Sequence, residues 1–232
     1  MNPDMLLNMT VANTPRMKTR DRILAGSLAL FNEQGERAVS TNHIAAALSI
    51  SPGNLYYHFA NKEAIIFELF QQYAVEMRGA LLLPDDRPLT QDDKVSLFEQ
   101  ILAWLWRFRF LHRDMTHLLD DNPSMRDAYR EFAAEIFQRV RQLYRLEIAS
   151  GLVEASEEEI SALVINIWII ATNWVNFLGS TGLFDYEGPL TEHELRQGLY
   201  QVICLEAPYL RGAAREGLAA LKARYGGALL PA

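Results

Sequence analysis

The chain reads as an all-α protein of 232 residues, and three observations carry that reading. Small and apolar residues recur at three- and four-residue spacings, in Ile23, Ser27, Leu30 and Phe31, in Ile65, Leu69, Phe70 and Tyr73, and in Leu97, Ile101, Trp104, Leu105 and Phe108. No stretch sustains the strict alternation of a half-buried strand. Helix starts are written into the chain. Ser156 with Glu159 and Thr191 with Glu194 form capping boxes, in which hydroxyl and carboxylate satisfy otherwise unpaired amides. Asn122 precedes Pro123, a cap residue before a proline whose missing N–H costs nothing at the first helical position.

In order, the spacing predicts helices near 18–34, 41–48, 52–58, 62–81, 91–111, 123–149, 157–179, 192–207 and 209–225. Breaks fall at Leu83 to Pro88, Ser150-Gly151, Gly179 to Gly182 and on through Gly188-Pro189, and Pro208. This divides the chain into a flexible tail over 1–15, a small unit over 16–76 and a body of long helices over 77–232.

Half of the residues are hydrophobic and 22 % charged, enough to bury a core and too apolar for a disordered chain. The net charge of −7 hides an asymmetry. From Arg16 to Lys62 there are six Lys/Arg against three acids, whereas residues 63–232 carry sixteen bases and twenty-five acids. A small basic module for an anionic partner, attached to an acidic body, fits that division. The single cysteine, Cys204, fits a reducing compartment. The first residues lack the basic start and apolar stretch of a signal peptide. The most apolar run, Ala162 to Gly179, contains Asn166, Asn173 and Asn176, which argues against a membrane span. A cytoplasmic protein is expected. The five histidines show no metal-ligand spacing, there is no phosphate-binding glycine loop, and Cys204 has no base beside it, so neither catalytic residues nor a metal or cofactor are expected.

The informative segment runs from Ser40 to Phe59. Thr41 or Ser40 caps a helix that turns Ile44 and Leu48 inward, and Ser49-Ile50 makes a tight turn. Ser51 then caps a second helix with Pro52 at its first position and Leu55 and Phe59 as inward anchors. Two short helices joined by such a turn form a helix-turn-helix, whose second helix is sized for a major groove. That helix presents Asn54, Tyr56, Tyr57 and His58, all hydrogen-bonding and none negative. Lys62 stands in the first turn of the next helix, where a cation opposes the helix dipole and an external phosphate would explain it. A buried aromatic patch joining two helices is the alternative.

At these residues the chain resembles the DNA-binding domain of the TetR/AcrR family of bacterial repressors. The matching pattern is a first helix like Arg20–Gln34, a stop at Gly35, Thr41 with Ile44 and Ala45, and a string from Gly53 through Leu55, Tyr56, His58 and Phe59 to Lys62 and Glu63, covering about residues 17–70. The family turn commonly carries glycine where this chain has Ser49, so a left-handed backbone there would cost about 1 kcal/mol. The resemblance implies phosphate contacts from Thr41, Tyr57, His58 and Lys62, with Lys18 and Arg20 as further candidates. It implies that Asn42, Pro52, Gly53, Asn54 and Tyr56 face base edges, in double-stranded operator DNA read by a homodimer.

For the body, the resemblance implies dimerisation and binding of a small apolar or aromatic effector. Dimerisation would use helices 157–179 and 192–207, with Ile160, Leu163, Val164, Ile167 and Trp168 on one face and Leu195, Leu199, Val202 and Ile203 on the other. Candidates to line a ligand pocket are Trp104, Phe108, His112, His117, Tyr129, Phe132, Asn173, Trp174 and Phe177, and the same aromatic stripes also fit plain core. Arg107, Arg109 and Arg113 are candidates to meet an anionic ligand. The stripe Asn166, Asn173 and Asn176 fits a ligand contact, a register device in the dimer seam, or partial exposure. The sequence therefore points to a ligand-responsive repressor, with a helical ligand- or protein-binding module that reads no operator as the alternative.

Overall fold

The computed structural model describes residues 18–82, 84, 87–181 and 191–226. The tail over 1–15 and the break from Gly182 through Pro189 lie outside the described residues. Among those residues there are ten α-helices and no strand: α1 (Thr19–Gln34), α2 (Thr41–Ala47), α3 (Pro52–His58), α4 (Lys62–Ala80), α5 (Gln91–Arg107), α6 (Arg109–Asp121), α7 (Pro123–Ala149), α8 (Glu157–Thr181), α9 (Glu192–Glu206) and α10 (Gly212–Tyr225). The only pairing of extended backbone among them is an isolated bridge between Val153 and Leu210.

Most starts follow the caps read from the sequence. Asn122, Ser156 and Thr191 accept hydrogen bonds from the amides of Met125, Glu159 and Glu194, and Thr90, which the sequence reading did not single out, caps α5 through the Asp93 amide. α1 stops at Gly35, whose φ of 87° suits a residue without Cβ. The expected helix over 91–111 is instead two helices, broken at Phe108 (φ −110°, ψ 30°), and α6 was not foreseen. No glycine or proline marks this break. It is held from outside: the Asn32 Nδ2 of α1 donates to the Arg107 carbonyl at 2.8 Å, and its Oδ1 accepts the Phe110 amide at 3.1 Å. Arg113 of α6 donates to the Phe31 carbonyl at 2.7 Å, so the end of α1 is tied to the start of α6.

α4 runs without interruption through the boundary drawn at 76/77. Its buried stripe, Ile65, Ile66, Leu69, Phe70, Tyr73, Ala74 and Met77, faces α1 at one end and α5 and α7 at the other. A core formed around that stripe joins Ile23, Phe31, Ile44 and Leu55 to Phe110, Phe132 and Ile160. A second core lies between α5, α8, α9 and α10, around Leu102, Trp174, Leu178, Ile203 and Tyr225. α8 is long and apolar enough to cross a membrane by length and composition, alone among the described helices; it packs against α6, α7 and α9.

Two polar features sit inside this core. Lys94 of α5 lies 3.0 Å from both Glu147 of α7 and Glu206 of α9, and the Tyr144 hydroxyl donates to Glu206. Burial penalises the ammonium, but the two carboxylates outweigh it and hold Lys94 charged; burial raises Glu147 against the pull of Lys94. The cluster clamps three helices together. His112 of α6 is buried edge-on against Tyr73, and neither ring nitrogen has a hydrogen-bond partner. Burial alone lowers its pKa to about 4, so it is neutral at pH 7.

Replacing Lys94 with Met strands two buried carboxylates. Its expected cost is about 3–5 kcal/mol in urea denaturation, partly recovered by adding Glu147→Gln. For His112 the folded pKa lies below the unfolded value, so the unfolded state binds the extra proton between about pH 6.5 and 4. Stability from this residue is complete above that window and is lost as pH falls through it, by roughly 3 kcal/mol. Denaturation of wild type and His112→Leu across this range should show a shallower acid slope in the variant.

Candidate nucleic-acid interface

The helix-turn-helix is assembled from local hydrogen bonds over a small core. Ser40, not Thr41, caps α2: its Oγ accepts from the His43 amide at 3.2 Å, and the Ser40 amide donates to the His43 Nδ1 at 3.4 Å. In the turn the Ser49 amide donates to Ala46 and that of Ile50 to Ala45, with Ser49 at φ 52°. The left-handed position that the family pattern gives to glycine is thus occupied by a serine. Ser51 caps α3 through the Asn54 amide at 3.1 Å. Ile44, Ala45, Leu55 and Phe59 are buried beneath. Gly26 in α1 lets Leu48 close the turn onto it, since a Cβ there would come within 2.7 Å of the Leu48 side chain.

What remains outside is a surface without acids, because α2 and α3 contain none. Asn42, Pro52, Gly53 and Asn54 are exposed, Tyr56 is 50 % exposed and Tyr57 85 %. The aromatics point outward, so the buried-patch alternative is excluded for Tyr56 and Tyr57. Tyr56 is nevertheless fixed, because its hydroxyl lies 3.0 Å from Thr41 Oγ1. Tyr57 packs edge-on against the half-buried His58. The two helices thus present a preorganised row of donors and acceptors.

Lys62 and Arg20 differ from expectation. Lys62 Nζ lies 2.5 Å from the carboxylate of buried Glu36 and donates to the Glu36 carbonyl at 3.2 Å. The cation that opposes the α4 dipole is balanced within the chain, and an external phosphate is not needed to explain it. Sequence reasoning missed Glu36 because it lies in the loop after α1, 26 positions away. His117 of α6 approaches the same Glu36 at 3.8 Å and Asp121 at 3.4 Å. Arg20 forms a two-pronged pair with Glu68 and lies 4.8 Å over the Phe59 ring. Lys18 is exposed.

Among the described residues, two apolar cavities lie in the body. One, between α5, α8 and α9, has empty space of about 490 Å³, part of it open to solvent. The other, between α4, α5, α7 and α8, has empty space of about 570 Å³, likewise partly open to solvent. Of the candidate pocket residues, Trp174 lines the first and Phe132 the second. The rest lie elsewhere. Trp104 and Tyr129 pack against the main core, and Phe108 is buried beside a separate open groove. His117 is engaged with Glu36 at the join with α1. Asn173 faces solvent, bonded to the Ile169 carbonyl, and Phe177 is exposed. Arg113 is bound to the Phe31 carbonyl and Arg109 lies over Trp106, so neither meets a cavity.

The candidate seam residues turn out to be internal. Ile160, Leu163, Val164, Leu195, Val202 and Ile203 are buried within the chain, and Val164, Ile167, Trp168, Leu195, Leu199 and Val202 form cavity walls. The wide apolar face of α8 that the sequence offers to a partner chain is covered within the chain by α6, α7 and α9. The face of α8 left outside carries Ile165, Asn166, Ile169, Asn173, Asn176 and Phe177. The asparagines belong to this outer stripe, where Asn176 also donates to the His112 carbonyl at 3.1 Å.

Comparison with known proteins agrees with this geometry. Residues 23–69 match the family model described as bacterial regulatory proteins, tetR family, and residues 72–218 match the one described as bacterial transcriptional repressor, TetR. A crystal structure of a TetR-family transcriptional regulator from Marinobacter aquaeolei is 43 % identical, with a TM-score of 0.82 over 91 % of this chain and all of that one. The regulator UidR of Escherichia coli is 41 % identical over 59 residues, 25 % of this chain, which spans only 30 % of that relative's length. AcrR of Shigella flexneri is 25 % identical over 178 residues, 72 % of this chain and 82 % of that one.

Proposed function

This chain belongs to the TetR family of bacterial regulatory proteins, and on that premise we propose that it is a transcriptional repressor that binds a palindromic operator as a homodimer in the cytoplasm and is released by a small effector. The observation that carries the reading is the acid-free face of α2 and α3, on which Tyr56 is held by Thr41 before any DNA arrives. Asn42, Pro52, Gly53, Asn54 and Tyr56 face the base edges. Asn54 suits the bidentate reading of adenine. Thr41, Tyr57 and His58 contact the backbone. Lys62 reaches phosphate only by leaving Glu36, so its first role is to fasten α4 to the end of α1.

The dimer is assigned to the outer stripe of α8. Ile165 is 55 % exposed, Ile169 52 % and Phe177 40 %, an apolar row that a second copy would cover. Asn166, Asn173 and Asn176, interleaved with it, would fix register across a two-fold axis, as single polar residues do in coiled coils. Two-fold symmetry would set the reading helices about 34–36 Å apart, one turn of DNA. The effector is assigned to the body cavities, whose walls include α4, the helix that carries the reading unit.

Fluorescence anisotropy on DNA from beside the chain's own gene, against scrambled DNA and across a salt series, tests the reading. Selective binding that weakens steeply with salt is expected, with Asn54→Ala losing about 1–3 kcal/mol of discrimination. Equal or absent binding of both DNAs by a folded dimer would favour a helical module that reads no operator. Sedimentation at micromolar concentration tests the seam. Wild type should run as a dimer and Ile169→Asp as a monomer, and a variant that stays dimeric places the seam elsewhere.

A further inference from the structure

The chemistry of the cavity walls restricts what can enter them. The two cavities lie on either side of the strip where Ile101 and Leu105 of α5 meet Ile167 and Ala171 of α8, and all four residues line both. Among the described residues no charged side chain lines either cavity. Most of the few polar groups in the walls are already engaged. The Trp174 indole N–H donates to the Glu194 carbonyl at 2.8 Å, in a ring position that Gly198 makes possible, since a Cβ there would lie 2.7 Å from the indole. The Thr172 hydroxyl donates to the Trp168 carbonyl at 2.7 Å and accepts from Asn173 at 3.0 Å.

Tyr73 and Trp168 line the cavity between α4, α5, α7 and α8, and neither the Tyr73 hydroxyl nor the Trp168 indole N–H is hydrogen-bonded to another described residue. Behind Tyr73 lies His112, its ring centroid 5.4 Å away, buried, with both nitrogens unpartnered. A carboxylate or an ammonium placed here would lose its hydration with no opposite charge to replace it. A neutral oxygen suffers no such penalty and can accept a hydrogen bond from Tyr73.

We propose that the effector is an uncharged, mainly hydrocarbon alcohol or ketone, received in the cavity between α4, α5, α7 and α8 with its single oxygen on the Tyr73 hydroxyl. The inference rests on the reading of the body as an effector-binding domain. It excludes fatty acids, organic anions and alkylammonium cations of the same chain length. Cavity walls built from Phe132, Phe137 and Trp168 favour a flat or extended hydrocarbon body over a compact polar one.

Three probes with one chain, 1-decanol, decanoate and decylamine, separate these classes at pH 7.4 by calorimetric titration of the full-length protein. Decanol should bind at least tenfold more tightly than either charged probe. Tyr73→Phe, which keeps the ring and its packing, should weaken decanol about five- to tenfold while leaving the cooperativity of thermal melting unchanged. Decanoate or decylamine binding as tightly as decanol, or no decanol binding, would overturn the proposal even if the variant failed to fold. Unchanged decanol affinity in a folded Tyr73→Phe protein would overturn the docking of the oxygen. Operator anisotropy run beside the titration isolates the underlying reading. Decanol that binds without altering DNA affinity sustains the ligand class and removes the effector role; release of DNA by a charged probe sustains the role and removes the class.

Discussion

Helix α4 buries one apolar stripe, from Ile65 and Ile66 through Leu69, Phe70 and Tyr73 to Met77, and both halves of the molecule are built against it. At its start the stripe closes the core under α1, α2 and α3. Further along, the same helix packs on α5 and α7 and supplies Tyr73 and Met77 to a cavity wall. A rigid helix of this length cannot relax at one end independently of the other, because protein cores are close-packed and transmit small displacements. Whatever repositions Tyr73 therefore bears on the orientation of the helix-turn-helix.

The polar contacts that flank this helix restrain the same motion. Glu36 ties Lys62 to the loop after α1 and is approached by His117 of α6. Asn32 and Arg113 bind the end of α1 to the break between α5 and α6. Their effect is geometric: each replaces a flexible join by a fixed one. The ring of His112 lies among them, beside Tyr73, with both of its buried nitrogens without a hydrogen-bond partner among the described residues.

Charge and polarity divide the surface in the way function requires. Helices α2 and α3 carry no acid, no charged side chain lines either cavity among the described residues, and acids such as Glu68, Glu135 and Glu157 are held in ion pairs elsewhere. The buried cluster of Lys94, Glu147 and Glu206 is the exception. It holds α5, α7 and α9 in one register from behind the cavity between α5, α8 and α9, one turn from Phe98 and Val202 in its wall.

The all-α class, most helix starts and the composition of the reading face were legible in the sequence because each depends on residues within a few positions. Caps act over three residues, a turn is made by Ser49 and Ile50, and the outward side of a seven-residue helix follows from its two inward anchors. What only the tertiary structure decided are relations between distant segments. The break at Phe108 is stabilised by Asn32, the charge of Lys62 is answered by Glu36, and the pocket walls combine α4, α5, α7, α8 and α9. Most telling is α8: its sequence is apolar nearly all round, and periodicity cannot say which face meets its own chain. The side with Ile160, Leu163 and Val164 is buried inside, and the side with Ile165, Ile169 and Phe177 is left exposed, because three other helices reach the first and no other described helix covers the second.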